Sequence, residues 1–278
     1  MSRPIDDADI VWLREYEEST LNHFRPRFAT YEARLAHGEA LIARYSAAIR
    51  ELIEQGRAHF RPVDEAHNEV CVADAVLSDP STLDATLLYE PPLPNTDKTI
   101  DFVLREADGK LTLIDVKTIK PQPRDRWDQY ERAIKEGWLP KNVQFLLQQE
   151  WQGGELWHTA FASRSRFLEY TLELEAKLAA ASYGDAALRQ ILMFCGEGFY
   201  WHQDELEDFV AYYRSGVYRG DDPFSLAEAR YIEENGLTLQ RSISSFGCLD
   251  RRQGDVTARR IDWHVQPPRL PSGLSDAA

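Results

Sequence analysis

Three consecutive apolar runs, DATLLYE, TIDFVLR and KLTLIDVKTI, constrain this chain more than any other feature. They lie between residues 84 and 119, separated by the Pro-rich PPLPNTD and by Ala107-Asp108-Gly109. Short β-rich runs punctuated by turn residues read as a strand meander. Helical periodicity returns on both sides of it, so the expected fold class is α/β, a central mixed sheet flanked by helices.

Upstream, YEARLAHGEALIARYSAAIRELIEQG places Leu35, Leu41, Ile42, Tyr45, Ile49 and Leu52 at mostly helical spacing and stops at Gly56, so residues 1–58 read as a helical arm. A second helix is expected from Asp64, as its N-cap, to Leu77, with Ser78-Asp79-Pro80 closing it. Downstream, helices are expected at about 127–136, 142–150, 163–181 and 204–214, and a buried strand in ILMFCGEGFYW. Ser225 opens a capping box, Gly236 ends that helix, and two strands at about 238–249 and 255–265 form a C-terminal hairpin.

Composition narrows the function classes. No apolar run reaches the roughly 18 to 20 residues that span a bilayer, and the acidic start lacks a signal-peptide pattern, so a cytoplasmic protein with no membrane partner is expected. Cys71, Cys195 and Cys248 are isolated, which suggests neither a disulfide framework nor a thiolate zinc site. His67, His158 and His202 are scattered without paired ligand spacing.

A net charge of −14 argues against an indiscriminate nucleic-acid coat, because Lys and Arg on phosphates supply most non-specific affinity. Residues 99–141 nevertheless balance eight acids with nine bases, and 237–270 hold six Arg against three Asp. If a polyanion binds, those two segments are where it is expected.

The chemistry is concentrated in the second hairpin. Strand alternation puts Asp115 and Lys117 on one face and Val116 on the other. A three-residue loop with a left-handed Gly109 pairs Asp101 with Asp115, Val103 with Leu113 and Arg105 with Leu111, placing Asp101 on the same face. A two-residue loop without a bulge sends Asp101 to the opposite face.

Two carboxylates close together in an apolar sheet need a cation between them or a raised pKa. Magnesium suits such a pair, since it prefers oxygen ligands and keeps several waters. Asp101, Asp115, a backbone carbonyl and a phosphate oxygen make a first shell for Mg²⁺ (or Mn²⁺), and the Lys117 ammonium would orient water or neutralise charge on the phosphoryl oxygens.

Asp101, a spacer of thirteen residues and Asp115-Val116-Lys117 on the adjacent strand resemble the PD-(D/E)XK, or restriction-endonuclease-like, nuclease superfamily, with Ile100 in place of the Pro. The stretch from Asn68 to Ala73 resembles the helix that carries a further acid in that family. Glu69 is therefore the expected third acid, with Glu65 and Glu90 as alternatives. The run from Glu69 to Lys117 is also similar to the endonuclease subunits of Tn7-like transposons.

The resemblance implies a nuclease core with a helical insertion over 59–216; the helical arm over 1–58 and the C-terminal helix, β-hairpin and tail over 217–278 are read from periodicity and turn signals and are unassigned by it. It implies metal-dependent hydrolysis of DNA by Glu69, Asp101, Asp115 and Lys117, the metal being held by the three acids and the Val116 carbonyl. Lys120, Arg124 and Arg126, just past the catalytic strand, and Gln144, on the following helix, are candidate nucleic-acid contacts. Cutting two strands commonly uses two active sites, which brings in a homodimer or partner protein. The alternatives are a non-catalytic or partner-dependent module of a DNA transposition or defence complex, and a metal-dependent hydrolase of a small phosphorylated substrate.

Overall fold

A computed structural model of the protein describes residues 4–56, 60–119, 155–183, 188–196, 203–217, 229, 232–251, 254–258 and 260–265. It is an α/β fold whose strands form one mixed sheet in sequence order, β1 (Leu35–Ala36), β2 (Thr86–Tyr89), β3 (Phe102–Arg105), β4 (Leu111–Ile119), β5 (Leu188–Gly196), β6 (Ser245–Asp250) and β7 (Arg260–Val265). The β2-β3-β4 meander is antiparallel, β4, β5 and β6 run parallel, and β7 returns antiparallel to β6. The C-terminal hairpin is therefore hydrogen-bonded to the central sheet through β5.

The described helices are α1 (Asp7–Thr30), α2 (Gly38–Gln55), α3 (Arg61–Ser78), α4 (Glu155–Ala179) and α5 (Gln203–Ser215). None of them is long and apolar enough to cross a membrane. The expected helices at 127–136 and 142–150, and the start of the one at Ser225, lie outside the described residues. Gly236 ends its helix as expected, with φ +60° and its N–H on the Glu233 carbonyl.

The N-terminal reading needs two corrections. Leu35 lies in β1, paired with Leu87, because His37 takes a left-handed conformation that separates α1 from α2. Gly56, also left-handed, stops α2 as expected. Asp64 is not an N-cap: α3 begins at Arg61 with a proline in its first turn, and Asp64 lies inside it, buried.

Alternation along the strands supplies two apolar faces. Phe102, Leu104, Ile114, Val116, Ile191 and Met193 pack with α1, α2 and α3 through residues such as Leu41, Tyr45, Ala66 and Val70. Val103, Leu113, Ile119, Leu192, Phe194 and Phe246 pack with α4 and α5 through Phe167, Leu174, Phe209 and Tyr213. Each fully buried Leu or Phe contributes about 1.5–3 kcal/mol of transfer free energy, which makes the two cores the main force holding the layers.

A buried polar cluster fixes α3 against the sheet. Arg251, just past β6, pairs with Asp64 at 3.2 Å and donates to Asn68 Oδ1 at 2.7 Å and to the Tyr16 hydroxyl at 2.9 Å. Asn68 in turn donates to Thr118 Oγ1 at 2.8 Å. Because Asn68 precedes Glu69 and Thr118 follows Lys117, this chain of bonds sets the height of α3 along β4.

Candidate active site at the end of the β3–β4 pair

The β3–β4 register runs from Arg105 opposite Leu111 through Val103 opposite Leu113 to Phe102 opposite Ile114. Glu106 donates to the Lys110 carbonyl, Gly109 donates to the Glu106 carbonyl, and Gly109 has φ +86°. This is the three-residue loop, and it brings Asp101 to the level of Asp115. Asp101 lies just before β3, and its Oδ2 accepts the Val116 backbone N–H at 2.6 Å. The carboxylate thus continues the ladder one step beyond the last paired residues.

Asp115 and Lys117 face α4. Lys117 Nζ lies 2.9 Å from Asp115 Oδ2, and Lys177 Nζ of α4 lies 2.7 Å from Asp115 Oδ1, so each oxygen of this buried carboxylate has its own ammonium. The Tyr170 ring lies 5.8 Å from the Lys117 ammonium, within cation–π range. A cleft of about 370 Å³ opens here, lined by Lys98, Asp115, Lys117, Glu173, Leu174 and Lys177.

Glu69 arrives from the other layer. It is 4% exposed, and its Oε2 accepts from Arg44 at 2.7 Å and from the Tyr89 hydroxyl at 3.1 Å. Arg44 also reaches Glu90 Oε1 at 3.0 Å. Of the alternative acids, Glu90 therefore belongs to this cluster, whereas Glu65 pairs with Arg61 one turn earlier.

The carboxyls repel one another. Burial and the charge of Asp115 push the Asp101 carboxyl up to about 6, against the pull of Lys117, the Val116 N–H and Lys177. Burial and the charge of Asp101 push Glu69 up to about 8, with Arg44 and Tyr89 opposing. Asp101 is the electrostatic link between Asp115 on one side and Glu69 on the other. For Lys117, burial disfavours the ammonium, but Asp115 and Asp101 outweigh it and raise its pKa above the ordinary lysine value. Lys117 is accordingly a hydrogen-bond donor at neutral pH and no base.

The donor set fits a divalent cation in one specific way. No group of three or more His, Cys, Asp or Glu among the described residues is gathered to hold an ion. The expected arrangement of three acids around one ion is thus not formed: Glu69 stands with Arg44 on the far layer. Asp101 and Asp115 remain a like-charged pair whose repulsion a cation would offset. Two carboxylates completed by waters and phosphate oxygens suit Mg²⁺, which dehydrates reluctantly.

The sequence residues Glu69, Asp101, Asp115 and Lys117 all fall at this end of the sheet. Lys120, Arg124, Arg126 and Gln144 lie outside the described residues. Sequence reading missed Lys177, Arg44, Tyr89 and Lys98. Lys177 had a signal, since Glu173 and Lys177 stand four residues apart beside the buried Leu174 and Leu178. Arg44 had none, because an arginine on an amphipathic helix is an ordinary surface residue.

No protein-family model, curated protein or solved structure matches the chain.

Proposed function

We propose that this chain is a metal-dependent nuclease that hydrolyses DNA phosphodiester bonds, with a restriction-endonuclease-like core of the PD-(D/E)XK type. The observation that carries the reading is the juxtaposition of Asp101 with Asp115 and Lys117 at the end of the β3–β4 pair, in the register that the Gly109 turn imposes.

Asp101, Asp115 and the Val116 carbonyl would hold Mg²⁺ or Mn²⁺, with Glu69 close enough in the opposite layer for the charge of Asp101 to raise its pKa. When bound, the ion supplies Lewis acidity toward a phosphoryl oxygen and makes water acidic enough to attack. Asp115 orients the Lys117 ammonium, and the Tyr170 ring lies close to it. An ammonium so held donates to the attacking water or to a phosphoryl oxygen as charge builds on it, and its position costs no reorganisation during the reaction. Val116, pointing into the opposite core, anchors the strand that carries both groups.

A specific observation favours a second reading, a non-catalytic or partner-dependent module of a transposition or defence complex. Both Asp115 oxygens are neutralised by lysines of the chain itself. One experiment separates the two readings. Supercoiled plasmid and a labelled single strand are incubated with the protein in Mg²⁺, Mn²⁺ or EDTA, beside Lys117→Ala. Metal-dependent cleavage that disappears in the variant supports the nuclease and identifies its substrate. No cleavage under any condition favours the partner-dependent module.

A further inference from the structure

We propose that Lys177, with Lys98 and Lys117, forms a phosphate-binding subsite in the cleft beside Asp115, and that Lys177 holds a backbone phosphate of the nucleic acid. This rests on the nuclease reading and adds to it a residue that no part of the D…DxK pattern contains.

Lys177 reaches the site from α4, a different element from the strand that carries Asp115 and Lys117. Its side chain is 18% exposed, and that exposed part lines the 370 Å³ cleft. Among the described lining residues, Lys98, Lys117 and Lys177 gather three ammonium groups beside Asp115 and Glu173, on a chain of net charge −14. The chain concentrates lysines where a polyanion would approach its two aspartates.

Lys117 and Lys177 together offset the paired charges of Asp115 and Asp101, and Lys177 does so from the wall of a cleft that reaches solvent. Any cation held by Asp101 and Asp115 would take over the neutralisation that Lys177 now gives and leave its ammonium for the phosphate. Lys98, exposed at the mouth, extends the track along the backbone of the bound strand.

The test measures binding without turnover. A short fluorescein-labelled single strand and its duplex, with hydrolysis-resistant phosphorothioate linkages, are titrated in Mg²⁺, followed by anisotropy over a range of salt, with wild type, Lys177→Gln and Lys177→Arg. Lys177→Gln is expected to bind roughly tenfold more weakly at low salt. Its plot of log affinity against log salt should be shallower by about 0.7 for the single strand or about 0.9 for the duplex, the signature of one lost phosphate contact. Lys177→Arg, which keeps the charge, should retain most of the affinity. Wild-type affinity and slope in Lys177→Gln would overturn the subsite, as would equal losses in both variants or no binding by wild type. Metal-dependent cleavage by wild type judges the nuclease reading separately, so either can fail alone.

Discussion

The Val116 backbone N–H and the Asp101 carboxylate are joined by a hydrogen bond of 2.6 Å. A side chain here does what a strand carbonyl does elsewhere in the sheet, and in doing so it fixes an acid beside Asp115 at the point where the β3–β4 ladder stops. The bond holds Asp101 against the repulsion of its neighbour, and it depends on the backbone of β4 rather than on any side chain of the triplet. The site is therefore built largely by sheet geometry, which makes several consequences measurable.

Asp115→Asn should lower cleavage at least ~10²-fold, the scale of losing one preorganised charged group, while circular dichroism stays unchanged. Asp115→Ala should lower the melting temperature further, because it leaves Lys117 and Lys177 facing each other without their shared acid. Cleavage at the wild-type rate by Asp115→Asn would remove Asp115 from the active site.

Stability of the metal-free protein should fall as pH rises. Glu69 and Asp101 have folded pKa values raised above the ordinary 4.5 and 3.8, to about 8 and about 6, chiefly by burial. The folded state then binds more protons than the unfolded state across that window, so the slope of unfolding free energy against pH is negative there. The cost is absent below the unfolded values and complete above about pH 8. Melting temperatures of wild type and Glu69→Gln, compared between about pH 5 and about pH 8, should show the steeper fall in wild type. Parallel curves would refute the raised Glu69 value.

Mg²⁺ should raise the melting temperature more at the alkaline end of the same series, since a ligand stabilises only the state that binds it and the acids must be ionised to do so. The gain should shrink in Asp115→Asn. An equal gain in that variant would place the ion elsewhere.

Arg251→Met should cost about 3–5 kcal/mol in urea denaturation, the scale for breaking a buried ion pair from one side. It removes the donors to Asp64 and Asn68 of α3 and to Tyr16 of α1 that tie both helices to the end of β6. A loss under about 1 kcal/mol would show that the cluster is replaceable by packing.

Gly109→Ala should cost about 1–2 kcal/mol. Its φ of +86° is the reason, because a Cβ there meets nothing within 4 Å and would add no clash. Thermal melts should show Gly109→Asn less affected, since asparagine tolerates the left-handed region better. Equal melting temperatures for the two variants would contradict a backbone origin.

The local layout of the site was legible in the sequence because it depends on short-range rules. Alternation put Asp115 beside Lys117, and the Ala107-Asp108-Gly109 turn set the register that brings Asp101 level with them. The same rules located the meander, the β5 strand, and the helix that carries Glu69. They failed at Leu35 and at Asp64. In the first case the left-handed His37 breaks an otherwise continuous helical pattern; in the second, a good capping residue serves instead as a buried partner for Arg251, 187 positions along the chain. Only the tertiary structure decided that both Asp115 oxygens are neutralised, because Lys177 lies 62 residues away on α4. It alone placed Glu69 with Arg44 in the opposite layer and joined the C-terminal hairpin to β5. Periodicity records which side of an element is apolar, whereas the choice among distant charged partners is made by packing, when burial gives each carboxylate a cost that only a particular cation can offset.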